Sequence, residues 1–239
     1  MPGHNVRRED GVAMIVAMMA MLLMTALGLV LVLTTTIETN IAGNFRTSQE
    51  AFYAADAVVE RAMDDIPTVP DWNRLLDGTV LSGFVDGPPG GSRTLPDGST
   101  IDLNQAVNIV NCPKNHGAAC TAGDMNAITA ERPWGANNPQ WKLYAYGRLS
   151  DLLPGGTINS PYYVTLLVAD DPSENDGDPL HDGAVPCKTG QNLAACDPGT
   201  GLIALRAEVF GPRSAHQIIE ATVGRAENTA RILAWRELR

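Results

Sequence analysis

A stretch of apolar residues near the amino terminus constrains this chain more than any other feature. Residues 12–33 carry no charged side chain, and only Thr25 and Gly28 interrupt them. A helix needs about 20 apolar residues to cross a bilayer, so the stretch predicts one transmembrane helix. A cleaved secretory signal is disfavoured, because residues 34–39 lack the small-residue pattern of a cleavage site.

The charges that flank the stretch predict its orientation. Arg7 and Arg8 precede it, whereas the first basic residue after it is Arg46. Basic residues concentrate on the cytoplasmic side of a membrane helix. The amino terminus is therefore expected in the cytoplasm, with the remainder of the chain exported.

The helical pattern continues beyond the apolar stretch. Apolar residues recur at steps of three, four or seven and form one stripe: Phe45, Phe52, Ala55, Val59, Ala62 and Ile66. The next proline is Pro67, so one helix is predicted over residues 12–66. Its second half should pack on a folded domain.

Residues 67–239 suit a single β-rich domain. Residues 67–91 are dense in Asp, Gly and Pro, which predicts a loop, and Asp97-Gly98 predicts a hairpin turn before a strand over residues 101–110.

Alternating residues predict further strands at 140–149 and 162–168, a hairpin with limbs at 203–209 and 217–223, and a last strand at 231–238. Within the first of these strands, Trp141, Leu143 and Ala145 are expected on one face. A long helix packed on an antiparallel sheet is an α+β fold.

The helical segment carries a family resemblance. A short leader ends at Gly11 and is followed by residues 12–16 (VAMIV), 41–44 (IAGN) and 51–57 (AFYAADA). In order and spacing, these segments resemble type IV pilus minor pilins of the PilX type. The resemblance covers about the first sixty residues.

The resemblance implies a type IV pilin-like α+β fold with three parts: a prepilin leader (1–11), a transmembrane and amphipathic helix (12–66) and a periplasmic head (67–239). It also implies that prepilin peptidase cuts between Gly11 and Val12, and that Val12 is then methylated. The precursor would span the inner membrane once and later reach the pilus and cell surface. Expected partners are other minor pilins, the major pilin, the assembly platform and a tip-associated adhesin.

One position departs from the pattern of major pilins. They carry a glutamate where this chain has Val16, and residues 12–33 contain no carboxylate. In the family, that glutamate pairs with the amino terminus of a neighbouring subunit in the apolar filament core. Its absence predicts a subunit that primes or caps the pilus near its tip, and sparse insertion along the shaft is the alternative.

Other functions remain open at this stage. A pseudopilin of a type II secretion system has the same architecture, and a single-pass envelope-anchored binding protein is possible if no cleavage occurs. Enzymatic activity is not expected, because no phosphate loop, Gly-x-Ser-x-Gly or His-Glu-x-x-His motif occurs. The net charge of −10 and the lack of a basic patch disfavour nucleic-acid binding.

Four cysteines are expected to form disulfides outside the membrane. Three pairings are possible, and two local bridges are favoured, Cys112 with Cys120 and Cys187 with Cys196, because each closes a short loop. Zinc is disfavoured by the spacing of the cysteines and histidines.

A cluster of acidic residues offers weak calcium ligands: Asp170, Asp171, Asp176 and Asp178. The spacing does not fit an EF-hand, so a solvated acidic loop is favoured over a calcium site. No other cofactor is expected.

Overall fold

The computed structural model describes residues 9–112, 119–126, 138–152, 159–172, 178–183, 201–226 and 229–238. The chain divides into two compact units, Met1–Thr47 and Ser48–Arg239. Helix α1 (Glu9–Asp65) contributes residues to both units.

The first unit consists, over its described residues, of the first part of α1. Its large apolar side chains between Val12 and Leu33 are 55% to 74% exposed. By length and composition this helix can cross a membrane, with a mean hydropathy of 2.7 over its most apolar window. The hydroxyls of Thr25, Thr34 and Thr36 donate to carbonyl oxygens one turn earlier at 2.6 to 2.9 Å. These polar groups are thus satisfied inside the helix, as a lipid environment requires.

In the second unit, α1 presents a stripe of small and branched side chains to the core. Six of them are at most 2% exposed: Ala51, Ala54, Ala55, Val58, Val59 and Ala62. Ile66, directly after the helix, is fully buried in the same core. Phe45, the first residue of the predicted stripe, belongs to the first unit and is 67% exposed, and Ala51 is the first fully buried residue of the stripe in the second unit. The helix ends at Asp65, and a 3-10 turn (Ile66–Thr68) that contains Pro67 follows.

The sheet of the second unit is a meander of five antiparallel strands in chain order. They are β3 (Lys142–Arg148), β4 (Tyr163–Asp170), β5 (Leu202–Phe210), β6 (His216–Ala226) and β7 (Thr229–Leu238). Every residue of β4 is buried, because both faces of the sheet are covered there. The long helix and the antiparallel sheet confirm the predicted α+β class.

The two faces of the sheet contribute to two separate cores. Tyr162, Val164, Leu166 and Val168 lie in the core shared with α1, as do Ile203, Leu205, Ala207 and Val209 of β5. On the other face, Tyr163, Leu167 and Ala169 of β4 and Ala204 of β5 lie in a second core, whereas Arg206 and Glu208 of β5 carry charges there. The period of two predicted for these strands is confirmed.

In β3, a bulge changes the face of one predicted residue. Leu143 is opposite Leu167 and Ala145 is opposite Leu166, so Tyr144 is the extra residue. As a result, Trp141 and Leu143 belong to the second core, whereas Ala145 belongs to the core shared with α1. The prediction that all three share a face is wrong, because a bulge shifts the alternation by one residue.

The strand predicted over residues 101–110 is also wrong. A short hairpin of β1 (Ser92–Thr94) and β2 (Thr100–Asp102) contains the predicted Asp97-Gly98 turn, but helix α3 (Leu103–Asn111) follows at once. The carboxylate of Asp102 accepts a hydrogen bond from the Gln105 amide at 3.1 Å and caps the helix. Leu103 and Val110 then face the second core at helical spacing.

The segment before β1 is more ordered than a simple loop. It contains a short helix, α2 (Asn73–Leu76), whose Leu75 and Leu76 are buried. Further along, residues 82–86 run beside β3 and exchange three backbone hydrogen bonds with Tyr144 and Tyr146 at 2.9 to 3.1 Å. These residues therefore cover the outer edge of β3. The remaining short helix, α4 (Ala122–Asn126), lies between α3 and β3 in the chain.

Candidate functional site

The predicted cleavage position lies in the first turns of α1. Gly11 has open space around its Cα, and Val12 is 62% exposed. Val16, which stands where major pilins have a glutamate, is 60% exposed. Residues 12–33 therefore present an apolar surface with no charged side chain. Such a surface suits lipid or other apolar helices.

The predicted packing residues of α1 differ in how deeply they are buried. Ala55 and Val59 are at most 1% exposed in the core. Phe52 is half-buried, and its ring meets that of Trp235 of β7 edge to face, with centroids 5.6 Å apart. This contact joins α1 to the last strand of the sheet.

Polar contacts fix both ends of the buried part of α1. Near its start, Glu50 accepts a hydrogen bond from the Tyr162 hydroxyl at 3.3 Å. At its end, the Asp65 carboxylate accepts a hydrogen bond from the Ser82 hydroxyl. It also forms an ion pair at 3.1 Å with Arg61, one turn earlier in the same helix. Burial, and then the Asp65 carboxylate, raise the pKa of Tyr144 above its ordinary value, so this phenol remains protonated. The helix is thus held at its start by Tyr162, next to β4, and at its end by Ser82, in the segment beside β3.

A disulfide between Cys112 and Cys120 follows α3. Asn108 accepts a hydrogen bond from the Cys120 amide at 3.3 Å. The Asn111 side chain accepts from the Trp141 amide at 2.7 Å and donates to the Trp141 carbonyl at 2.9 Å, as a paired strand would. The bridge and the asparagines together anchor α3 to the residue before β3. Cys187 and Cys196 lie outside the described residues.

The proposed calcium ligands do not form a cluster in the described part of the chain. Asp170 and Asp171 are buried at the end of β4, whereas Asp178 is exposed and pairs with His181 at 2.7 Å. Asp176 lies outside the described residues. Among the residues described, no three acidic, histidine or cysteine side chains come together in a metal-binding arrangement. Calcium binding stays a prediction.

Sequence reasoning missed a network of charges across three strands. Arg206 of β5 donates to Glu208 at 2.6 Å and to Glu220 of β6 at 2.7 Å. Glu220 also accepts from Arg236 of β7 at 2.9 Å, and His216 lies 3.4 Å from Glu208. These residues are far apart in the sequence, and only the strand register reveals which of them pair.

The network determines the ionisation of Glu208. Burial raises the pKa of this carboxyl, but the hydrogen bonds and charges of His216 and Arg206 outweigh burial. The net pKa is below the ordinary value, so Glu208 is a carboxylate at neutral pH. It is buried, and its charge is balanced by that of Arg206. This arrangement is suited to holding strands together.

Two further arginines brace loops. Arg93 donates to the carbonyl oxygens of Asp86, Pro88 and Gly90 at 2.6 to 3.0 Å and thereby closes the loop before β1. Arg225 lies 4.3 Å from the ring centre of Trp72, in a cation–π contact. Within the described residues, these groups and the charge network act as structural braces.

Comparison with known proteins gives a match in the amino-terminal part of the chain. Residues 10–60 match the family model described as PilX N-terminal. No curated protein and no solved structure matches the chain. The PilX match confirms the resemblance seen in the sequence, over about a fifth of the chain. It includes the apolar part of α1 and most of its buried part.

Proposed function

We propose that this chain is a non-catalytic minor pilin that is processed by prepilin peptidase and primes or caps a type IV pilus near its tip. The observation that carries the proposal is the PilX N-terminal match over residues 10–60, on a helix long and apolar enough to span a membrane. The apolar surface of the first unit is stored in lipid and then transferred to a bundle of subunit helices.

Processing would occur between Gly11 and Val12, on the cytoplasmic side. The basic residues of the leader support this orientation, because the region just after the span lacks a positive charge until Arg46. The head then faces the periplasm, where the Cys112–Cys120 disulfide is compatible with oxidising conditions. Removal of the leader leaves the apolar surface of α1 intact.

Tip placement follows from the missing carboxylate. A charged amino terminus buried in an apolar filament needs a partner, and Val16 offers none to a neighbouring subunit. A subunit of this kind is better suited to start or end a filament than to repeat along it. Its partners there would be other minor pilins, the major pilin, the assembly platform and a tip-associated adhesin.

Two glycine variants test processing. Nothing lies within 4 Å of an added Cβ at Gly11 or at Gly28, so the two sites are matched for the introduction of a side chain. We expect Gly11→Leu to retain the leader, whereas Gly28→Leu is cut like the wild type, as measured by intact mass in membrane fractions. Cleavage of Gly11→Leu at the same bond, or no cleavage of the wild type, would refute processing.

Immunogold labelling tests the position. We expect the wild type at filament ends and expect Val16→Glu to appear along the shaft as well. Regular labelling of wild-type shafts would overturn tip placement and leave a sparse shaft subunit. Absence from sheared surface filaments, with normal processing, would instead favour a pseudopilin of a type II secretion system.

A further inference from the structure

The two edges of the five-stranded sheet differ in how their backbone groups are satisfied. At the β3 edge, residues 82–86 supply hydrogen bonds to Tyr144 and Tyr146. At the other edge, no described segment pairs with the outer side of β7, although this strand is ten residues long. An exposed edge of this length is a template for another strand. The fold therefore closes one edge and leaves the other open within the part of the chain that is described.

The side chains of β7 differ between its two faces. On the face toward α1, Ala230 and Ile232 pack partly against the core, and Trp235 contacts Phe52 but remains 44% exposed. On the opposite face lie Arg231 and Arg236, which are opposite Gly224 and Glu220 of β6. One face of the open edge is thus mainly apolar, with Glu237 near its end, and the other carries the two arginines.

The two arginines are not equivalent. Arg236 is neutralised by Glu220, with Nε 2.9 Å from the carboxylate. Arg231 is exposed, and no described carboxylate pairs with it. A cation at an open edge discourages pairing with basic strands and favours an acidic one. Arg231 is thus a local positive charge at the edge of a chain whose net charge is −10.

We propose that the β7 edge binds an extended strand of a different protein, in which apolar residues alternate with acidic ones. The backbone of that strand would continue the sheet, its apolar side chains would lie beside Ile232 and Trp235, and its carboxylates would lie beside Arg231. Main-chain hydrogen bonds give affinity in such complexes, and alternate side chains give specificity. The inference concerns the second unit alone and goes beyond the proposed role in the filament.

A second copy of this chain fits the edge less well. If two β7 strands paired as neighbours in one continuous sheet about a twofold axis, the faces with the two arginines would lie on the same side. On that face β7 itself contributes Arg231 and Arg236 and no carboxylate, since Glu237 lies on the other face, and Glu220 of the neighbouring β6 is already paired with Arg206 and Arg236. Like charges opposite each other destabilise a strand pair. The occupant is therefore expected to be a strand with different chemistry.

The test uses the full chain in lipid nanodiscs and two fluorescent peptides of about nine residues, in which valine alternates with glutamate or with lysine. Fluorescence anisotropy measures affinity, and hydrogen exchange locates the protected amides. We expect the glutamate peptide to bind and to protect residues 229–238, and the lysine peptide to bind at least about tenfold more weakly.

Three variants separate the edge from general charge effects. Arg231→Glu should weaken binding of the glutamate peptide by about tenfold or more, whereas Arg231→Lys should stay within about twofold of the wild type. Arg148→Glu makes the same charge change at an exposed arginine of the covered β3 edge and should also have little effect.

Several outcomes would overturn the proposal. One is equal affinity for the two peptides, and another is no binding of either. The others are amide protection from exchange outside residues 229–238, or a loss of affinity with Arg148→Glu equal to that with Arg231→Glu. Protection of β7 without peptide would mean that the chain covers its own edge. Protection that rises with protein concentration would identify a second copy as the occupant.

Discussion

The Tyr162 hydroxyl donates a hydrogen bond to the Glu50 carboxylate over 3.3 Å and joins the buried part of α1 to the start of β4. The ring of Tyr162 packs directly against Gly211. A Cβ added at residue 211 would lie 2.3 Å from the ring atom Cε1. The absence of a side chain at residue 211 therefore determines where this tyrosine can lie.

Gly211→Ala should destabilise the second unit by about 1–3 kcal/mol, because the added methyl group overlaps the Tyr162 ring. The measurement is denaturant unfolding of the full chain in detergent, followed by tryptophan fluorescence. Gly83→Ala is the matched control, since nothing lies within 4 Å of its added Cβ. Equal midpoints for the two variants would show that Tyr162 is free to move aside.

Two phenylalanines on α1 form a second matched pair. Phe52→Asp should lower the free energy of unfolding by about 2 kcal/mol or more, because it places a carboxylate beside the core and removes the contact with Trp235. Phe45→Asp, at a position that is 67% exposed, should leave the unfolding of the second unit unchanged. Both are measured by thermal unfolding in detergent. A similar loss in the two variants would show that Phe45 supports the second unit as much as Phe52 does.

Removal of the Cys112–Cys120 bridge should destabilise the chain by about 2 to 3 kcal/mol, as the loop-closure entropy of a short loop predicts. The variant replaces both cysteines by serine, and unfolding is compared under non-reducing conditions. Peptide mapping of the wild type should show Cys112 linked to Cys120. A link from Cys112 to Cys187 would contradict the local pairing.

Acid should weaken the strand network through Glu208. Its pKa is lower in the folded chain than the ordinary value of 4.5, so its stabilising contribution is complete above that value. The contribution is lost as the pH falls through the lower, folded pKa. Stability should therefore drop on acidification below about pH 4.5 in the wild type, and less steeply in Glu208→Gln. Glu60→Gln removes an equal charge at an exposed position and should keep the wild-type slope.

Local patterns predicted those parts of the fold that depend on a single period. The alternation in β4 and β5 placed their side chains on the correct faces, because both strands run without a bulge. The helix end near Pro67 followed from the chemistry of proline. The family resemblance of the first sixty or so residues was likewise readable, because it depends on contiguous residues.

The parts that sequence reasoning missed depend on distant residues. The bulge at Tyr144 moves Ala145 to the other face, and nothing in the local alternation marks it. The apolar residues of 103–110 fit a strand or a helix, and the Asp102 cap decides for the helix. The charges of Arg206, Glu220 and Arg236 meet only after β5, β6 and β7 are aligned.

The most direct test of the central claim is the mass of the amino-terminal peptide of this chain in sheared surface filaments. The account predicts a chain that starts at Val12, with a methylated amine, and is present in the filament fraction. A chain that retains residues 1–11 in normal filaments would contradict the account, as would its absence from filaments when it is abundant in the membrane.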